Sequence, residues 1–96
     1  MNEDETIRIP IEDFIDLHTF RPGEVKDLLQ DYLQEAAEKG FKEVRIIHGK
    51  GTGALRKTVQ SVLEKHPLVA SFKDAGHGAG GWGATIAVLR QKEERR

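Results

Sequence analysis

The stretch "RIIHGKGTGALRK", Arg45 to Lys57, decides how this chain is read. Arg45, Ile46 and Ile47 run as the end of a β-strand into His48. Gly49, Gly51 and Gly53 follow at alternate positions, and then Leu55, Val59, Val62 and Leu63 mark the apolar stripe of a helix that Pro67 ends. Strand, glycine turn and helix in that order suit an anion. Small residues let backbone N–H groups approach a phosphate at a helix N-terminus, and Lys50 adds a positive charge. A tight turn that needs positive φ is the competing explanation. The spacing is G-x-G-x-G, so it is not a Walker loop. Gly78, Gly80 and Gly83 have dinucleotide-loop spacing, but they lead into a strand rather than a helix.

Working outward, "FIDLHT" alternates on the N-terminal side. Ile15 and Leu17 face one way, and Asp16 and His18 the other. Pro22 and Glu24 open a first helix whose stripe is Val25, Leu28, Leu29, Tyr32, Leu33, Ala36 and Ala37, with Gly40 as its stop. "EVRIIH" is the second strand, "VASFKDA" the third and "ATIAVL" the fourth. The pattern predicts an α/β two-layer sandwich, βαβαββ, with helices near residues 22–39 and 54–66. Strands joined by crossover helices run parallel, so the first three point the same way. The fourth returns antiparallel after a short loop. Half-polar strands place both helices on one face of a four-stranded mixed sheet and leave the other face open. Residues 1–13 read as a polar tail, 14–90 as one domain and 91–96 as a charged tail.

Composition narrows the possibilities. The chain has 96 residues, 38% hydrophobic and 32% charged, enough for one modest core. It has no cysteine, which removes disulfide and thiolate chemistry. No apolar run is long enough for a membrane span, and the acidic N-terminus lacks the apolar core of a secretory signal. A cytoplasmic monomer is the expectation. Charge is divided unevenly. Residues 1–40 hold four Lys/Arg against eleven Asp/Glu, and residues 41–96 hold eleven against five. The glycine clusters lie in the basic part, which favours an anionic ligand.

In a parallel sheet, ligands gather beyond the carboxyl ends of the strands. His18, His48 to Gly53, and the segment from His77 to Gly83 all fall on that rim. His66 falls at the far end of the second helix. Asp16 and His18 leave the strand on one side, roughly 6–7 Å apart along it, close enough for the carboxylate to orient the imidazole. Trp82 in the last loop reads either as a lid on the core or as a base-stacking platform.

These residues resemble the small MutS-related, or Smr, domain family. Ile15-Asp16-Leu17-His18 is similar to its [L/I]-D-x-H motif. His48-Gly49-Lys50-Gly51, continued by Gly53-Ala54-Leu55-Arg56, is similar to its H-G-x-G motif. Gly80-Gly81-Trp82-Gly83-Ala84-Thr85, leading into an apolar strand, is similar to its third signature. Thr19 stands where many members have glycine, which affects the entry to the first helix. The resemblance implies nucleic-acid binding and an endonuclease that nicks DNA or cleaves RNA, with ribosomes as partners of some members. It carries over no ATPase and no mismatch recognition. Asp16, His18 and His48 are the expected catalytic residues, with the histidines as an acid–base pair. Gly49, Lys50, Gly51, Thr52, Gly53, Arg56, Lys57, His77, Gly81, Trp82 and Gly83 are the expected nucleic-acid contacts. A divalent cation enters only for DNA, which has no 2′-OH to serve as nucleophile. The alternatives are a nucleic-acid or ribosome binder without turnover, and a protein-interaction module.

Overall fold

The structure is a computed structural model and describes residues 11–76 and 83–91. Its elements are β1 (Phe14–Asp16), α1 (Pro22–Glu38), β2 (Glu43–Ile47), α2 (Ala54–Lys65), β3 (Val69–Asp74) and β4 (Ala84–Leu89). The expected βαβαββ order and both helix positions hold. The expected site residues His77, Gly81 and Trp82 lie outside the described residues, as do 1–10 and 92–96.

The sheet order is β1-β2-β4-β3. β1 pairs parallel with β2, and β4 pairs antiparallel with both β2 and β3. The three crossover-linked strands therefore share a direction, and the returning strand slots between two of them. Composition explains the slot. "ATIAVL" is apolar and carries no charge, which suits an interior position with a strand paired along each edge. β3 carries Lys73 and Asp74 and has a register irregularity between Val69 and Ser71, both suited to an edge.

Both helices pack on one face. Leu17, Val25, Leu29, Leu33, Ala36, Val44, Ile46, Val59, Leu63, Ala87 and Leu89 form the core between the layers. Burial of each large aliphatic side chain contributes about 1.5–3 kcal/mol relative to exposure. Tyr32 reaches across from α1 and donates its hydroxyl to the Glu12 carbonyl at 2.6 Å, which fixes the chain just before β1. Glu24 caps α1 by accepting from the Arg21 N–H at 3.0 Å. No helix among the described residues is long and apolar enough to cross a membrane.

The opposite face of the sheet has no helix. Its outward residues alternate with the core positions along each strand: Phe14 and Asp16 on β1, Glu43 and Arg45 on β2, Ile86 and Val88 on β4, Ser71 and Lys73 on β3. Leu33→Ala should cost about 2–5 kcal/mol in urea unfolding, because it empties a fully buried site. Phe14→Ala, on the open face, should cost under about 1 kcal/mol. Equal losses at the two positions would show that the open face is covered.

Candidate functional site

The rim begins with Asp16, the last residue of β1. Leu17 is drawn into the core, and its N–H donates to the Ile47 carbonyl at 2.7 Å, continuing the parallel ladder. The chain then turns, and His18 folds back on Asp16. The His18 Nδ1–H donates to Asp16 Oδ1 at 2.6 Å, and the His18 backbone N–H donates to the same oxygen at 3.0 Å. These bonds, the side-chain one foremost, hold the Asp16 carboxyl below the usual carboxylate range. Both side chains are about half exposed, 47% for Asp16 and 55% for His18. With Nδ1 engaged as a donor, the lone pair of the neutral ring lies on Nε2.

The glycine turn sits against this pair. Gly49 has φ +78°, which favours glycine, and a Cβ built there would lie a tight 3.3 Å from the His18 Cβ. Gly53, at φ +93°, forms the N-cap of α2. Thr52 Oγ1 accepts from the Ala54 N–H at 3.3 Å. The next first-turn N–H groups have no partner within the helix and face the turn. Lys50 lies over Gly83, where an added Cβ would meet its Cγ at 3.3 Å. The result is a cleft of about 440 Å³ lined by His18, Phe20, Pro22, His48 to Gly53 and the first turn of α2.

His48 enters this cleft differently from His18. It keeps the inward alternation of Val44 and Ile46, and it is 3% exposed. Its Nδ1–H donates to the Gly49 carbonyl at 3.0 Å, and its Nε2 accepts the Thr85 hydroxyl at 2.9 Å. Burial, the largest influence, holds its pKa below the ordinary 6.5, and the nearby Arg56 charge adds to this against the Gly49 carbonyl and Asp74. The neutral ring is therefore saturated, donating at one nitrogen and accepting at the other. The Gly83 carbonyl also accepts from the His48 and Gly49 N–H groups, at 3.0 and 2.8 Å.

The expected phosphate contacts divide into three groups. Gly49 to Gly53 and Lys50 are in the cleft. Arg56 lines it too, but its guanidinium donates to both oxygens of Asp74 at 2.9 Å, tying α2 to β3. Lys57 lines a separate groove between the helices, with Lys26 and Lys65. His66 accepts the Leu68 N–H at the far end of α2. Three participants carried no role in the sequence reading: Thr85, Asp74 and Phe20. Thr85 was legible in principle, since a hydroxyl on the covered face of an apolar strand needs a partner. Among the described residues, no three His, Asp or Glu side chains are grouped to hold a metal ion.

With this geometry in hand, comparison with known proteins is informative. The chain belongs to the Smr domain family, whose model matches residues 15–90. It is 44% identical over 85 residues to endonuclease MutS2 of Staphylococcus carnosus, an alignment covering 88% of this chain and 11% of that protein. The chain thus spans about a tenth of the length of this MutS2 relative. The crystal structure of the Smr domain of Thermus thermophilus MutS2 superposes with a TM-score of 0.78 at 39% identity, covering 80% of this chain and 96% of that one. YdaL, a stand-alone small MutS-related protein from Escherichia coli, superposes with a TM-score of 0.79 at 26% identity, covering 91% and 71%.

The His48 environment sets a pH dependence. Its folded-state pKa lies below 6.5, so the unfolded chain takes up the proton first as the pH falls. The stability it contributes is complete above about 6.5 and is lost as the pH drops below that value. The melting temperature of the wild type should fall more steeply between about pH 7.5 and 5.5 than that of His48→Gln. Thr85→Val should cost about 1–3 kcal/mol at neutral pH by leaving Nε2 buried without a donor. Parallel pH curves for wild type and His48→Gln would remove this account of the ring.

Proposed function

We propose that this domain binds nucleic acid at the rim cleft and cleaves a phosphodiester there, with His18 as the proton-transfer group. The observation that carries the reading is the Asp16–His18 pair, exposed and oriented by a 2.6 Å hydrogen bond at the wall of a glycine-lined cleft. The MutS2 relatives are named endonucleases, which supports the same reading.

Cleavage needs a base for the nucleophile, a proton for the leaving oxygen and positive charge for the phosphate. In the reading proposed, Asp16 fixes the His18 tautomer so that Nε2 accepts the nucleophile's proton. The resulting imidazolium is stabilised by the carboxylate and can return the proton to the leaving oxygen. The first-turn N–H groups of α2 and Lys50 hold the phosphate. The nucleophile is the neighbouring 2′-OH in RNA, or an activated water in DNA, where a divalent cation would assist.

His48 takes a different part from an acid–base partner. Its ring nitrogens already serve Gly49 and Thr85, so its role is to brace the turn that carries the phosphate site. Arg56, paired with Asp74, contributes to the local field and to the seating of α2 rather than gripping phosphate directly. A binding module without turnover is the second reading. It is favoured by the presence of one presented imidazole, not two, among the described residues of the cleft.

The test is incubation with labelled RNA and DNA, with and without EDTA, beside variants whose melting and affinity are also measured. His18→Ala should reduce cleavage by about 10²-fold or more with melting and binding intact. His48→Ala should lower the melting temperature and weaken binding, with cleavage falling only in proportion. Lys50→Ala should weaken binding to every sequence alike and flatten the salt dependence. Wild-type cleavage by a folded His18→Ala protein would end the catalytic reading and leave the binding module.

A further inference from the structure

The open face of the sheet holds a row that the rim chemistry does not use. Phe14 on β1 is registered with Arg45 on β2, Arg45 with Ile86 on β4, and Ile86 with Lys73 on β3. The four side chains leave the same face, across about 14 Å at the usual strand spacing. Phe14 is 48% exposed and, with Phe20 in the cleft, is one of two large hydrophobic side chains exposed among the described residues. An exposed aromatic ring at the start of a strand contributes little to the fold. Arg45 and Lys73 are exposed, and among the described residues neither is held in an ion pair.

Position matters as much as composition. Phe14 and Asp16 alternate onto the same face of β1, so the aromatic ring stands one step, roughly 6–7 Å, from the carboxylate that orients His18. A shallow depression of about 200 Å³ beside the ring is lined by Asp13, Phe14, Glu43, Val44, Arg45 and Ile86. Its acids, Asp13 and Glu43, lie at the end of the face away from the rim. There they can accept hydrogen bonds from base amino groups. The cations lie nearer the rim, where a backbone phosphate would pass. An aromatic ring beside one cation, Arg45, and acceptors for base edges, with a second cation, Lys73, further along the row, suits an unstacked base. A duplex keeps its base faces covered and offers nothing to Phe14.

We propose that the open sheet face, through the row Phe14, Arg45, Ile86 and Lys73, binds single-stranded nucleic acid and delivers it to the Asp16–His18 pair. This rests on the rim being the phosphate site and narrows its substrate to unpaired strands. Phe14 stacks a base, Ile86 gives that row an apolar centre, and Arg45 and Lys73 track the backbone.

The test uses the full chain carrying His18→Ala, so that binding is read without cleavage, and labelled short single strands of RNA and DNA beside the matching duplexes. Single strands should bind more tightly than duplexes. Phe14→Ala should weaken single-strand binding by about 5-fold to 140-fold and leave duplex binding unchanged. Phe14→Trp, which keeps an aromatic face at this position, should bind single strands close to the parent level. Arg45→Ala with Lys73→Ala should reduce the salt slope by about 0.7 for each cation removed. The RNA and DNA arms identify which sugar the strand carries. Lys50→Ala is the control for the rim. If Lys50→Ala weakens binding while the sheet-face variants do not, the inference falls and the rim reading stands. If no nucleic acid binds the parent, both fall. A concentration-dependent dimer in sedimentation, abolished by Phe14→Ala, would also overturn it by showing that a second copy covers this face.

Discussion

The hydrogen bond from Thr85 to His48 joins the glycine turn to the middle of the sheet. β4 supplies the hydroxyl and β2 ends at the imidazole. The Gly83 carbonyl adds two more bonds to the same two residues of the turn. A glycine-rich loop has high conformational entropy, so one with three positive-φ glycines holds a single shape only if it is tied at its base. Here the tie is a buried neutral imidazole with a partner at each nitrogen. The cleft beside His18 inherits its geometry from that tie. His48 thus shapes the cleft through its bonds to Gly49 and Thr85.

Layering settles which surfaces are available. With both helices on one side, the core positions of the strands are filled and the other side stays uncovered. The rim where β1 and β2 end is the place at which the helix N-termini, the glycine turn and the open face meet. Asp16 belongs to the open face and Leu17 to the core, so the chain presents the Asp16–His18 pair outward while anchoring it by its neighbour. Exposure of Asp16 is thus a direct product of strand alternation, and the turn after Leu17 sets His18 beside it.

Charge follows the same division without being uniform. α1 carries Glu24, Asp27, Asp31, Glu35 and Glu38 against a single Lys26, which leaves that helix unattractive to a polyanion along much of its length. Lys50, Arg45 and Lys73 lie on the turn and the sheet. The basic half of the sequence therefore places Lys50 on the rim and Arg45 and Lys73 on the open face, beside the acids Asp16 and Glu43 and across the core from α1. Arg56 does not add to the rim as a free cation, because Asp74 on the neighbouring edge strand takes both of its contacts to that carboxylate.

The sequence determined the elements and their directions. Apolar periodicity, Pro22, Gly40 and Pro67 bound the helices, and the crossover rule made three strands parallel. It also determined the Asp16–His18 pair, because two residues apart is a local distance, although β1 ends at Asp16 and a turn, not the strand expected from sequence, brings the ring back onto the carboxylate. Local rules did not reach the strand order, since placing β4 between β2 and β3 depends on which strand pairs along both of its edges. They did not reach the partners of Arg56 or the surface on which Lys57 lies, because those depend on how α2 is rotated against the sheet. The different duties of the two histidines were half legible. The alternation of Val44, Ile46 and His48 points the ring inward, but only the pairing of β2 with β4 brings Thr85 beneath it. A residue's chemistry is written in its side chain, whereas its freedom to act depends on which distant group has already bound it.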